Sequence, residues 1–148
     1  MSVDSPCSIA RSLGVFGGRW TFLILREAMS GVTRFADFRT ALGIAPDVLT
    51  ERLGTLVDHG VMTREPYQET GQRARYEYVL TPAGRELRVV LGALQQWGDA
   101  HLPRPEGPTV LRRVRGSERP VHVGYVDEAG REVDPDNVQV VRTAAYPS

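Results

Sequence analysis

Between residues 34 and 81 the apolar positions change period twice. Phe35, Phe38 and Leu42 fall on one helix face, and Gly43 is placed to stop that helix in a left-handed cap. Pro46 opens a second helix. On it Leu49, Leu53, Leu56 and Val57 make a core-facing stripe, which leaves Asp47, Thr50, Glu51 and Gly54 toward solvent. His59 and Gly60 end that helix, and residues 61–64 and 76–80 then read as two strands around a polar turn at 69–72. Helix, tight turn, helix and hairpin is the layout of a winged helix-turn-helix, whose second helix turns its outer face into a DNA groove.

The flanks extend the pattern. Ser5-Pro6 is a capping hydroxyl followed by a first-turn proline, and Ile9, Leu13 and Phe16 continue at helical spacing until Gly17-Gly18. The run from Trp20 through Phe22, Leu23, Ile24 and Leu25 to Met29 is apolar on nearly every side, as in a helix at the centre of a domain. Ser30-Gly31 closes it, and Thr33 is placed to cap the next. Thr81-Pro82 repeats the cap-plus-proline signal ahead of a long stripe, Leu87, Val90, Leu91, Leu94 and Trp97. A small domain covers only part of such a stripe. Leu91, Leu94 and Trp97, with Ile9 and Leu13 of the first helix, therefore form the expected seam of a homodimer.

After residue 102 the composition shifts. Prolines and a glycine make a linker over 103–108, and residues 121–126 and 138–141 look like strands separated by turns at 128–130 and 134–137. The expected fold is mainly α with small β: a winged helix-turn-helix of order α-α-α-α-β-β-α over 5–102, the linker, and a small β extension over 109–146. The extension has no assigned role and is too short to fold well alone.

At 148 residues and 41% hydrophobic content the chain can bury one core. Nothing in it approaches the ~18 apolar residues that a membrane span needs, and its first residues carry no basic-then-apolar leader, so a cytoplasmic protein with no membrane partner is expected. One cysteine excludes an internal disulfide framework and any multi-cysteine metal site. His59, His101 and His122 have no second ligand at metal spacing, so neither metal nor cofactor is expected. No Ser-His-Asp order or glycine-rich phosphate loop is present either, which argues against an enzyme. The charge balance, 18 basic against 18 acidic, lacks the basic excess common in nucleic-acid binders. Distribution outweighs the sum, because affinity comes from the few cations that reach phosphates. All of those cations are arginines, which pair bidentately with phosphate and guanine.

Cys7, residues 13–27 (LGVFGGRWTFLILRE), Arg34-Phe35, residues 44–53 (IAPDVLTERL) and residues 75–84 (RYEYVLTPAG) together resemble the HxlR-type transcriptional regulators of the MarR-like superfamily. The resemblance covers roughly residues 5–100 and rests on the ordered series of motifs. It implies a dimeric winged-helix repressor or activator, read here as a repressor, that binds a double-stranded DNA operator. The helix from Pro46 would be its recognition helix and residues 71–75 its wing. Its inducer would be a small molecule or a thiol-reactive electrophile. Three positions depart from the pattern: Ala45 stands where a capping serine is frequent, Asp47 puts an acid where a neutral or basic residue suits DNA better, and Gly54 weakens the helix by up to ~1 kcal/mol.

The expected DNA-binding residues are Arg34, Arg39, Pro46, Asp47, Thr50, Glu51, Arg52, Arg73 and Arg75. Thr50 is the candidate base reader and Arg52 a candidate phosphate contact, with a surface ion pair to Glu51 or Asp47 as the alternative. Glu51 either supports an arginine or accepts from cytosine. Arg73, at the wing tip, suits a narrow minor groove or the backbone. Arg75 lies near Glu77 and is partly structural; Arg34 and Arg39 bracket the first helix of the motif and suit phosphates. Cys7 is expected in the first turn of helix one, where free N–H groups and the helix dipole stabilise a thiolate. Some HxlR members use a cysteine at this position as a redox or electrophile sensor; a small buried apolar residue is the other reading. Because winged helices also bind proteins, a protein-interaction module is the alternative function.

Overall fold

The computed structural model describes residues 4–146. Those up to Leu87, with 144–146, form one compact unit, and Arg88–Thr143 form a second. The division by compactness therefore falls ahead of the proline-rich linker, with the last long helix in the same unit as the extension.

The first unit holds α1 (Ser8–Phe16), α2 (Arg19–Met29), α3 (Phe35–Leu42), α4 (Pro46–Asp58), β1 (Met62–Tyr67), β2 (Arg75–Leu80) and the short α5 (Pro82–Glu86). Its core takes Ile24 and Leu25 from α2, Phe38 from α3, and Leu49, Leu53 and Leu56 from α4, all fully buried, with Ile44, Val61 and Met62. Each such side chain contributes about 1.5–3 kcal/mol relative to exposure. Gly43 sits at φ +60 and donates its N–H to the Arg39 carbonyl at 2.8 Å, so α3 ends in the left-handed cap its sequence position implies. Pro46 starts α4 with no side-chain cap, as Ala45 in place of serine requires. β1 and β2 pair antiparallel from Met62↔Leu80 to Tyr67↔Arg75 and form the wing. Thr81 caps α5: its Oγ1 accepts from the Gly84 N–H at 3.1 Å and donates to the Gly60 carbonyl at 2.6 Å. Gly84 is there for space, since a Cβ would lie 2.1 Å from the Val61 carbonyl oxygen.

Several local expectations need correcting. Ser5 does not cap α1; the N-cap is Cys7, whose N–H reaches the Ser5 hydroxyl at 3.3 Å. Thr33 does not cap α3 either. Its carbonyl accepts from the Tyr78 N–H at 2.7 Å, and Arg34 bridges Glu77, so this stretch runs extended along β2 and the Thr33 hydroxyl turns to the Glu77 carboxylate at 3.0 Å. Only Thr21, Ile24 and Leu25 of α2 are buried, on one side of a helix whose pattern looked apolar all round. The single long helix after Pro82 is two, because the Leu87 N–H closes on the Gly84 carbonyl three residues back and ends α5.

The second unit comprises α6 (Arg88–His101), a hairpin of β3 (Tyr125–Val126) and β4 (Glu132–Val133), and a 3-10 turn (Pro135–Asn137). The extension is tied to α6 by side-chain amides. Gln96 donates to the Val123 carbonyl at 3.0 Å and accepts its N–H at 2.9 Å, while Gln95 donates to the Val110 carbonyl at 2.7 Å. Gly92 is buried beneath Val123. Residues 138–141 are not a strand. Asp134 caps the 3-10 turn that precedes them, no edge pairs with them, and Val140 and Val141 stay exposed. Among the described residues, no helix is long and apolar enough to cross a membrane.

Candidate nucleic-acid interface

With Leu49, Leu53 and Leu56 locked into the core, α4 presents Asp47, Thr50 and Glu51 to solvent. The Thr50 hydroxyl donates back to the Pro46 carbonyl at 2.8 Å, which fixes its rotamer and leaves its oxygen lone pairs facing outward as acceptors. Arg52 is not on that face. Its half-buried guanidinium lies against the Gly18 backbone at the start of α2, its Nε has no partner, and Nη2 stands 3.8 Å from the Glu51 carboxylate. The ion-pair alternative is thus the one realised in the free chain.

The cations around α4 fall into two groups. Arg39, Arg73 and Arg75 are exposed, with no side-chain ion pair among the described residues. Arg34 is engaged: Nη1 meets the Glu69 carboxylate at 2.7 Å, and the guanidinium sits 4.4 Å from the Tyr67 ring centroid. Hydrogen bonding to Glu69 raises the Arg34 pKa above its ordinary value, so it stays charged at any physiological pH. The wing turn is built by Gly71 at φ +76 and by the Gln68 side chain, which donates to the Gln72 carbonyl at 2.9 Å. Between α3 and the wing lies an open cleft of about 440 Å³ whose lining includes Phe35, Tyr67, Arg73, Tyr76 and Tyr78.

Two further exposed cations are not singled out by the sequence pattern. Arg19 is exposed at the N-terminus of α2 over the Trp20 ring, and Arg64 stacks on Tyr76 across the wing at 4.4 Å.

Cys7 is half-buried at the N-cap of α1, one position before the first turn expected for it. Its carbonyl accepts the Arg11 N–H at 3.0 Å, and the Arg11 guanidinium bonds the Ser5 and Pro6 carbonyls and the Ser8 hydroxyl. α1 buries none of its residues, and Ile9 is 72% exposed. On α6, Leu94 and Trp97 are 52% and 59% exposed, and Leu91 is half-buried. Among the described residues no group of acids, histidines or cysteines is arranged to hold a metal.

This fold and surface have clear relatives. A regulator of the helix-turn-helix type from Mycobacterium tuberculosis is 48% identical over 106 residues, which cover 72% of this chain and 66% of that protein's length. The structure of PA1607, a candidate transcription factor, superposes with a TM-score of 0.80 at 37% identity and covers 95% of this chain and 97% of its own. The redox regulator HypR in its reduced form gives a TM-score of 0.58 at 29% identity over 65% of this chain and 94% of its own. The extension is therefore common to this chain and PA1607, whereas HypR matches little more than the winged helix. The model of the HxlR-like helix-turn-helix family matches residues 15–106, and the chain belongs to that family of DNA-binding transcriptional regulators.

Proposed function

We propose that this chain is a dimeric, sequence-specific repressor, reading its operator with the outer face of α4 and steadying itself on the DNA backbone with the wing. The carrying observation is a core-anchored helix that leaves Asp47, Thr50 and Glu51 uncovered beside the unpaired Arg39, Arg73 and Arg75. Thr50 and Glu51 read bases, with Pro46 and Asp47 at the helix entry. Arg39, Arg73 and Arg75 contact phosphates, and Arg52 joins them only by leaving its seat over Gly18. Ile9, Leu13, Leu91, Leu94 and Trp97 form the subunit seam, which spaces two copies of α4 about one duplex turn apart. A cytoplasmic location follows from this role.

Binding to fragments of the host genome, followed by sequencing, identifies the operator. On that operator Arg73→Ala weakens binding to all sequences and reduces the salt slope by about one phosphate's worth, whereas Thr50→Ala relaxes preference at one or two positions. Equal losses on operator and random DNA for both variants would sink the Thr50 assignment. Binding that ignores salt would favour a protein partner.

The half-buried Cys7 at the head of α1, together with the likeness to HypR, supports a thiol signal. With one cysteine per chain, diamide oxidises two thiols to a disulfide between subunits, or one thiol and a small thiol to a mixed disulfide; the electrons pass to diamide. A quinone instead adds the thiolate to its ring. Either change loads the start of α1, beside the proposed seam, and releases DNA. Cys7→Ser should bind DNA and ignore both reagents. Release of that variant as readily as the parent would leave a ligand pocket as the place to seek the inducer.

A further inference from the structure

The wing is a hairpin with weak points. Glu65 and Glu77 stand directly opposite each other, and Pro66 interrupts the donors of β1 one position further out. An isolated two-stranded hairpin is marginal even without such defects. The base of β2 is fixed to the body by the backbone bonds of residues 33 and 34 described above. Beyond the Glu65↔Glu77 pair, the ion pair that reaches from the body to the outer wing among the described residues is that of Arg34, which grips Glu69 and covers Tyr67. Tyr67 is the register partner of Arg75, and Glu69 lies in the turn that carries Arg73.

We propose that Arg34 is a positioning residue: from the N-cap of α3 it clips the outer wing through Glu69 and Tyr67, and so holds Arg73 and Arg75 in place before DNA arrives. Arg34 thus acts through the wing and spends no charge on a phosphate of its own. The inference rests on the DNA-binding reading above, in which the wing cations meet the duplex backbone.

The test is a double-mutant cycle with Arg34→Gln and Glu69→Gln, both at exposed positions, measured on a random-sequence duplex pool and by hydrogen exchange of residues 68–75 in the free protein. The clip predicts that Glu69→Gln weakens DNA binding about two- to fivefold more when Arg34 is present than when it is glutamine. Each single variant should speed wing exchange, the double variant no further, and Arg34→Lys should not restore either property, because lysine keeps the charge and loses the planar grip. The salt slope of Arg34→Gln should equal the parent's. If Glu69→Gln instead tightens binding most when Arg34 is present, or if Arg34→Gln lowers the salt slope, Arg34 is a phosphate contact that Glu69 restrains, and the proposal is wrong. Additive effects in a parent that binds DNA would also overturn the clip, whereas a parent that binds no duplex would overturn the DNA reading itself.

Discussion

Each of the two units of this chain is held together internally by a different chemistry. The winged-helix unit is closed by side chains from α2, α3, α4 and β1 that meet in a dry core, six of them with no exposed surface. In the second unit Gly92 is the one buried residue of α6, and the extension is fastened by glutamine amides to backbone groups while Val110, Leu111, Val121, Tyr125 and Val126 remain exposed. Burial of apolar surface is cooperative, because removing one residue opens a cavity felt by its neighbours. Exposed hydrogen bonds are each worth about 0.5–1.5 kcal/mol and fail one at a time. The first unit should therefore unfold as a block, and the second should loosen locally.

The largest effect should come from the core. Leu53→Ala should cost about 2–5 kcal/mol, visible as a fall in the thermal midpoint with loss of DNA binding. A variant with an unchanged midpoint would mean that the core is not the source of the block behaviour. Next, Leu94→Glu puts a charge on the exposed α6 stripe, and sedimentation should show monomers whose winged-helix unit melts as before. If the unaltered chain is already monomeric at micromolar concentration, the seam does not exist. A smaller, local effect is expected for Gln96→Ala, which removes both ties to Val123 and should cost about 1 kcal/mol. Amide exchange should rise over 110–123 and stay unchanged in α2 and α4; spread into those helices would merge the two units. The smallest effect concerns pH. Asp127 accepts from the Arg131 and Ala129 N–H groups and pairs with the Arg131 guanidinium, which holds its carboxyl below the ordinary value of about 3.9. Its contribution to the β3–β4 hairpin is thus complete above that ordinary value and is lost as pH falls through the lowered one. A titration of the carboxyl by NMR should place its midpoint below that of a free aspartate; a midpoint at or above it would show the loop to be open in solution.

What sequence made legible follows the same division. The stripe of Leu49, Leu53 and Leu56 was readable because one-sided burial imprints a helical period, and the wing strands were readable from their aromatic and β-branched content. Residues 138–141 carry that same content and are irregular, because propensity does not supply a partner strand. The break at Leu87 was invisible since leucine is a good helix former, and the cause lies in how Thr81 and Gly84 seat α5 against Val61. At the candidate site, Asp47, Thr50 and Glu51 of α4 and Arg73 of the wing are exposed as the pattern implies, whereas Gly54 is half-buried and Arg75 makes no ion pair with Glu77. The partners of Arg34 and Thr33, Glu69 and Glu77, are not legible from the pattern because they are distant in sequence, 44 residues in the second case. For Arg52 the pattern leaves a phosphate contact and an ion pair with Glu51 both open, and the seat of its side chain at Gly18 is not legible because it is supplied by another helix.

The tight turn at Gly43 makes α3 and α4 a single lever. Gly43 takes a backbone angle that other residues resist, Ile44 is pegged into the core at 3% exposure, and Pro46 begins the next helix with its φ already set, so the joint has no slack in which torque could be lost. If the proposed signal acts on this head, the expected response is a change in the angle of the two helices taken together, rather than a melting of α4.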